Sequence, residues 1–261
     1  MTTWIDTHCH LTERYVDDDV ETLVSEATEA GVSRIVNIGC GPTLDDCREA
    51  VNLAERFESV WATVGMHPHE ADGVDEQFFE GIRELAKHPK VVAIGETGLD
   101  YHYENSTRDN QRRSFRRHFE LAREVNLPVV IHNRDSDEDC IDILNDVKPD
   151  DVGGVVHCFS ASWELARTAL DHGFFLGFTG IATFNSAESV REVLRKAPND
   201  RIVVETDSPF LAPVPHRGKR NRPKFVADVG RSVAETLGLS VEETAELTTR
   251  NACRLYGWEV A

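Results

Sequence analysis

The chain has 261 residues, 40% hydrophobic and 28% charged, enough to bury a sizeable core, and no apolar run near the roughly 20 residues of a membrane-crossing helix. Lys+Arg 28 against Asp+Glu 46 gives a formal charge of −18, which excludes a broadly basic surface for gripping nucleic acid. The six cysteines at 9, 40, 47, 140, 158 and 253 contain no CxxC pair, which argues against a disulfide framework and for reduced, mostly buried residues.

The N-terminus, Met1-Thr2-Thr3-Trp4-Ile5-Asp6, lacks the basic-then-apolar order of a signal peptide, so the expected location is cytoplasmic. Residues 4–7 read as a first strand, and the helical spacing Val20-Leu23-Val24-Ala27 stops at Gly31. Strand-like runs follow at 34–38, 60–64 and 91–94, then a helix through Phe115, Phe119, Leu121, Ala122 and Val125. After a strand at 128–131, Ser136 is placed to cap a helix whose first turn, Asp137-Glu138-Asp139, suits the positive helix end. Strands at 154–156, 174–178 (just after a helix stop at Gly173) and 201–204 come next. Helical stretches over 224–237 and 241–256 finish the chain. Strands alternating with helices imply a parallel sheet, and no GxGxxG follows the first strand. Eight strands over about 210 residues fit a closed α/β barrel, a single TIM (β/α)8 domain spanning 1–261.

Barrel active sites lie at the C-terminal ends of the strands, and those ends carry the chemistry here. The first runs into His8-Cys9-His10, the third into His67-Pro68-His69 and the fourth into Glu96-Thr97-Gly98-Leu99-Asp100. The fifth ends in His132, the sixth in His157 and the eighth in Glu205-Thr206-Asp207. Residues i and i+2 of an extended chain share a face, so His8 and His10 can reach one ion. Confined carboxylates are costly unless a cation neutralises them. The set therefore predicts divalent cations: His8, His10 and Asp207 around one, His132 and His157 around another, Glu96 bridging. Imidazole with carboxylate suits Zn²⁺, Mn²⁺, Co²⁺ or Ni²⁺ over Ca²⁺, while Mg²⁺ is abundant and serves phosphate chemistry. Asp207 is the candidate general base and Glu205 its support.

One basic run, His216-Arg217-Gly218-Lys219-Arg220-Asn221-Arg222-Pro223-Lys224, follows the eighth strand and matches a phosphate-bearing substrate. Arg108, Arg112, Arg113, Arg116 and Arg117 are expected to answer acids of neighbouring helices. Cys9 and Cys158 are expected on the strand face away from the ligands, as packing residues. Cys40 is placed to reach the mouth without acting as a nucleophile. Trp61 and Trp163 are read as core or loop-packing residues.

These motifs resemble those of the TatD family of metal-dependent deoxyribonucleases. The segments that carry the likeness are Asp6-Thr7-His8-Cys9-His10-Leu11, Gly65-Met66-His67-Pro68-His69, Gly95-Glu96-Thr97-Gly98-Leu99-Asp100-Tyr101, His157-Cys158-Phe159-Ser160, Glu205-Thr206-Asp207-Ser208-Pro209-Phe210-Leu211 and 215–221. The resemblance implies an amidohydrolase-type TIM barrel with one or two divalent metals (Mg²⁺, Mn²⁺ or Zn²⁺) held by His8, His10, Glu96, His132, His157 and Asp207. No Lys ends the fourth strand, so Glu96 stands where some amidohydrolases have a carbamylated lysine. The chain departs from the family pattern at Ala161, where Gly is common, and at Phe210, where Tyr is usual.

The expected function is metal-dependent hydrolysis of DNA phosphodiester bonds, as a 3′-to-5′ exonuclease, with Asp207, Glu96 and Glu205 as catalytic residues. His67 and His69 would approach the phosphate, while His216, Arg217, Lys219 and Arg220 would steady the backbone. No membrane or obligate protein partner is expected. The alternatives are a barrel hydrolase for a non-nucleic-acid ester, amide or lactone, and a non-catalytic partner-binding protein.

Overall fold

The computed structural model describes residues 2–259; Met1, Val260 and Ala261, the outermost residues of the expected domain, lie outside them. Strands β1 (Trp4–Cys9), β2 (Val32–Asn37), β3 (Val60–Val64), β4 (Val91–Asp100), β5 (Val129–Arg134), β6 (Gly154–Val156), β7 (Phe175–Phe178) and β8 (Ile202–Val204) pair in chain order. Every pairing is parallel. The ring closes just past β8, where the Asp207 N–H donates to the His8 carbonyl (2.9 Å) and the His10 N–H to the Ser208 carbonyl (2.8 Å). Helices α1 (Val20–Glu29), α2 (Leu44–Arg56), α3 (Glu76–Leu85), α4 (Arg108–Val125), α5 (Asp137–Val147), α6 (Trp163–Asp171), α7 (Glu188–Lys196), α8 (Val226–Leu237) and α9 (Val241–Tyr256) form the outer layer. The expected (β/α)8 TIM barrel is the fold. No helix among the described residues is long and apolar enough to cross a membrane.

Two apolar clusters hold the layers together. The larger lies between strands and helices and contains fully buried Phe115 and Phe119 of α4, with Phe174 and Phe178 at β7. Phe115, Phe119 and Ala122 recur at helical spacing, which gives α4 one buried stripe; each such Phe contributes about 1.5–3 kcal/mol on burial. The smaller cluster joins Ile5, Val36, Val92, Val130, Val155, Phe175 and Val203 from seven strands, which can meet only inside the ring.

Two local expectations change. β4 extends six residues beyond the predicted 91–94, because the pairs Thr97↔Ile131 through Asp100↔Arg134 continue the ladder across a sequence rich in turn signals. Gly98 permits this: at φ +140° it lies so close to β5 that a Cβ would sit 2.0 Å from the His132 carbonyl oxygen. Ser136 stands at the start of α5 but does not cap it; its hydroxyl donates instead to the Leu99 carbonyl (3.1 Å) and to Asn133 Oδ1 (2.9 Å). The last helices begin at Val226 and Val241, the first preceded by a 3₁₀ turn at Pro223–Phe225.

His118 of α4 supports the third strand end from below. Its Nδ1–H donates to the Ser114 carbonyl (2.7 Å) and its Nε2 accepts from the Met66 N–H (3.0 Å), so the ring is neutral. Burial pushes its pKa down to about 4. The unfolded chain therefore binds the extra proton between about pH 6.5 and 4. This contribution, ~3 kcal/mol, is fully present above pH 6.5 and disappears as the pH falls through 4. Thermal melts should show the melting temperature falling over that range, and less steeply in His118→Gln. Parallel slopes for parent and variant would refute the assignment.

Candidate metal centre

Glu96, 2% exposed, is the hub of the strand ends. Its Oε1 lies 2.9 Å from His132 Nδ1, 3.3 Å from His157 Nε2 and 3.6 Å from His67 Nε2, and its Oε2 lies 3.5 Å from His8 Nε2. Asp207 Oδ1 is 3.4 Å from His10 Nε2 and 3.7 Å from His8 Nε2. Four interlocking donor groups result: His8–His10–Asp207, His8–Glu96–His157, His67–Glu96–His132 and His157–Cys158–Asp207. All six residues expected as ligands thus converge. The grouping differs in one respect: His67, expected to face substrate, joins Glu96 and His132, whereas the His132 and His157 rings stand 6.1 Å apart.

The donors fit a divalent cation. Both ring nitrogens of buried His8 and Nδ1 of buried His10 lack any hydrogen-bond partner among the described residues, a costly condition that a bound ion removes. Burial pushes the His8 and His67 pKa values down and leaves their lone pairs free. Burial pushes the Glu96 carboxyl up, but His157, His67 and His8 outweigh it and hold Glu96 well below the usual carboxylate range. Asp207 is likewise lowered, its burial opposed by the His10 hydrogen bond and the charges of His157 and His8. Glu96 and Glu205 overcome burial to hold His157 well above its ordinary value, so positive charge is favoured between the carboxylates. A divalent cation supplies that positive charge in place of a proton, and imidazole nitrogens beside ionised carboxylates are its ordinary ligands.

Supporting groups fix these ligands. Fully buried Glu205 accepts from His157 Nδ1–H (3.0 Å) and the Cys158 N–H (2.6 Å) through Oε1, and from the Thr7 hydroxyl (3.2 Å) through Oε2. This aims His157 Nε2 at Glu96 and fixes its tautomer. Gly177 makes room, since a Cβ there would sit 2.6 Å from Glu205 Oε2. Asp100, named in the fourth strand end but not singled out there, is a further supporting carboxylate. Its Oδ2 takes His69 Nε2 (2.8 Å) and His132 Nε2 (3.1 Å), while Oδ1 accepts the N–H groups of His102 (3.0 Å) and Tyr103 (2.9 Å). Its place four residues after Glu96, with one strand running through both, is the signal that points to it. Asp6 ties β1 to the eighth strand end by accepting the Thr206 N–H (2.8 Å) and hydroxyl (2.6 Å), and burial pushes its carboxyl up to about 8.

A cavity of about 600 Å³ opens over the cluster, lined by His10, His67, His69, Glu96, His132, His157 and Asp207, with Arg14, Tyr15, Tyr103, Arg134 and Phe210 toward its rim. Cys158 corrects an expectation: it lies on the cavity wall with His157 and Asp207, because its φ of +46° turns the chain after β6 and ends the strand alternation. Cys9 is fully buried, as expected. Cys40 Sγ reaches 4.0 Å from Glu96 Oε2, and burial pushes its thiol well up, against a nucleophilic role. Trp61 packs against Trp258 (5.1 Å), away from the cavity, and Trp163 opens α6 half-buried.

The basic loop does not line this cavity. Arg220 pairs with Asp17 (2.9 Å) and donates to the Tyr15 carbonyl; Arg222 and Lys224 both pair with Glu26 of α1. His216 stacks on Phe225 at 3.8 Å, and Arg217 lies 3.7 Å over Phe184. Three of the five arginines of the second group pair with acids of neighbouring helices as expected, Arg112 with Asp139, Arg116 with Asp146 and Arg117 with Glu76, whereas Arg108 pairs with Glu104 in the loop before α4.

The profile of the TatD related DNase family matches residues 5–257. The chain is 44% identical over 252 residues to the uncharacterized metal-dependent hydrolase YabD of Bacillus subtilis, covering 96% of this chain and 98% of that one. It is 35% identical over 253 residues to the 3′-5′ ssDNA/RNA exonuclease TatD of a Rahnella strain, covering 95% of each. The crystal structure of the TatD homologue YjjV from Escherichia coli superposes with a TM-score of 0.90 at 28% identity, covering 98% of each chain.

Proposed function

The chain belongs to the TatD-related DNase family, and from that premise we propose that it hydrolyses phosphodiester bonds in DNA as a 3′-to-5′ exonuclease, residues 1–261 acting as one domain. The observation that carries the reading is the Glu96 hub, four histidines around one buried carboxylate, of which His8 also joins His10 on Asp207. Cations held by His8, His10, Glu96, His132, His157 and Asp207 would polarise the phosphoryl oxygen and the attacking water. Asp207 Oδ1, at the cavity wall, accepts the water proton. Glu205 keeps His157 in register, and Asp100 does the same for His69 and His132. His69 lines the cavity toward the phosphate, and His67 shares this task with its place beside Glu96. His216, Arg217, Lys219 and Arg220 contact backbone only beyond the cavity; among the described residues Arg217 and Lys219 have no ion pair. The cytoplasm is the proposed location.

One finding favours a second reading. The basic loop argues for a phosphate-rich substrate, yet much of its charge is spent on α1 and on Asp17. A hydrolase of carboxylic esters, amides or lactones would use the same donors. Metal-stripped protein incubated with end-labelled single- and double-stranded DNA and RNA, adding back Mg²⁺, Mn²⁺ or Zn²⁺ separately, decides between them. The expected result is DNA cleavage only with added metal, a 5′ label giving a descending ladder and a 3′ label releasing mononucleotide. No cleavage with any ion, beside metal-dependent turnover of a lactone or aryl ester, would transfer the assignment to the second reading.

A further inference from the structure

Among the described residues the large apolar side chains left exposed are Tyr103 (55%), Phe210 (49%) and Val214 (49%). Two of these three line the cavity over the metal donors. Tyr103 follows β4 and Phe210 follows β8, four strands apart in an eight-strand ring, so the two rings stand on opposite walls of the mouth.

Neither ring rides on a loose loop. The Tyr103 N–H donates to Asp100 Oδ1 (2.9 Å), its ring meets His69 edge-on at 5.5 Å, and the Arg134 guanidinium lies 4.7 Å from the ring centre. The Phe210 N–H donates to the Asp207 carbonyl (2.9 Å) and its own carbonyl accepts from Asn221 Nδ2 (2.6 Å). Tyr15 and His10 hold its ring edge-on at 6.1 and 6.0 Å. Each aromatic is thus anchored through a residue of the metal cluster or its immediate support, with its outer face left to solvent.

The electrostatics leave a need that aromatic faces meet. The net charge is −18, and the arginines at the cavity rim are Arg14, already paired with Glu70 (2.9 Å), and Arg134, which has no carboxylate partner among the described residues. A nucleic acid strand cannot be held here chiefly through its phosphates. Base faces stack on any aromatic ring, which is worth about tenfold or more in affinity per base. Bases in a duplex already have both faces covered, so only an unpaired strand offers them.

We propose that Tyr103 and Phe210 are base-stacking platforms that clamp the nucleosides on either side of the phosphate presented to Glu96 and Asp207. The inference deepens the nuclease reading and rests on it for the position of that phosphate. Binding tests it separately from cleavage. Fluorescence anisotropy on metal-stripped protein in chelator would compare a labelled five-residue thymidylate with an abasic phosphodiester of equal length and charge. The expected result is about a hundredfold tighter binding of the thymidylate, reduced about tenfold in Tyr103→Ala and in Phe210→Ala, lost toward the abasic value when both are alanine, and restored in Tyr103→Trp and Phe210→Tyr. Both side chains are half exposed, so their truncation leaves the fold intact. Equal affinity for the two oligomers, or alanine variants that bind like the parent, would overturn the platforms. Preferential thymidylate binding by a protein that cleaves no nucleic acid with any metal would uphold the platforms and sink the nuclease reading.

Discussion

Glu96→Gln is expected to fold, to retain almost no tightly bound metal, and to hydrolyse DNA at least about 10³-fold more slowly than the parent. Glutamine matches the volume of glutamate, so the packing of a site only 2% exposed is preserved. What disappears is the one negative charge shared by His8, His67, His132 and His157, each within 3.6 Å of a Glu96 oxygen. Without that charge, two of the four donor groups lose their carboxylate. The effect should appear in stability as well as in rate. A cation that binds only the folded state stabilises it by about 2.7 kcal/mol at a hundredfold excess over its dissociation constant, roughly 5–10 °C for a chain of this size. Thermal melts during Mn²⁺ or Zn²⁺ titration should show that rise in the parent and little of it in Glu96→Gln. Elemental analysis of both proteins after dialysis supplies the metal content. A variant that melts like the parent at every metal concentration and cleaves DNA at the parental rate would remove Glu96 from the centre.

The membership of this hub is legible in the order of residues along the chain. Histidines and acids at the ends of alternating strands meet on one face of a barrel whatever the loops do, which groups His8, His10, Glu96, His132, His157 and Asp207 from order alone. Which donor faces which is not written there. Glu96 lies within a register shift between Ile94 and Thr97 of the β4–β5 pairing, and His67, from the end of β3, also faces it. Local sequence also misleads where pairing overrides it: the strand expected over 91–94 continues through Gly95 and Gly98 to Asp100 and so brings an unforeseen carboxylate to His69 and His132. Cys158 departs from expectation for the converse reason, because a left-handed residue ends the alternation just past β6. The loop at 217–224 shows a third limit, because charge in a sequence does not say whether it is already paired.

Asp207→Asn should separate proton transfer from metal retention, and the contrast with Glu205→Gln is what gives the result meaning. Asp207 has φ +54°, an uncommon conformation for a non-glycine residue, held by its N–H to the His8 carbonyl and by the Phe210 N–H on its own carbonyl. That backbone keeps Oδ1 beside His8 and His10 and open to the cavity, so asparagine will occupy the same place with an oxygen still able to ligate. It cannot take a proton from water at neutral pH, and loss of a general base costs about 10²–10⁴-fold in rate. The expected outcome is a kcat reduced by that factor which excess metal does not restore. Glu205 touches His157, Cys158 and Thr7 but lies behind the ligands and does not line the cavity. Its glutamine variant should bind metal about 10–100-fold more weakly and recover most of its kcat when metal is supplied in excess. Steady-state kinetics across a metal titration distinguishes the two. Recovery of Asp207→Asn by metal alone would make Asp207 a ligand only, and would leave the proton to another group at the cavity wall.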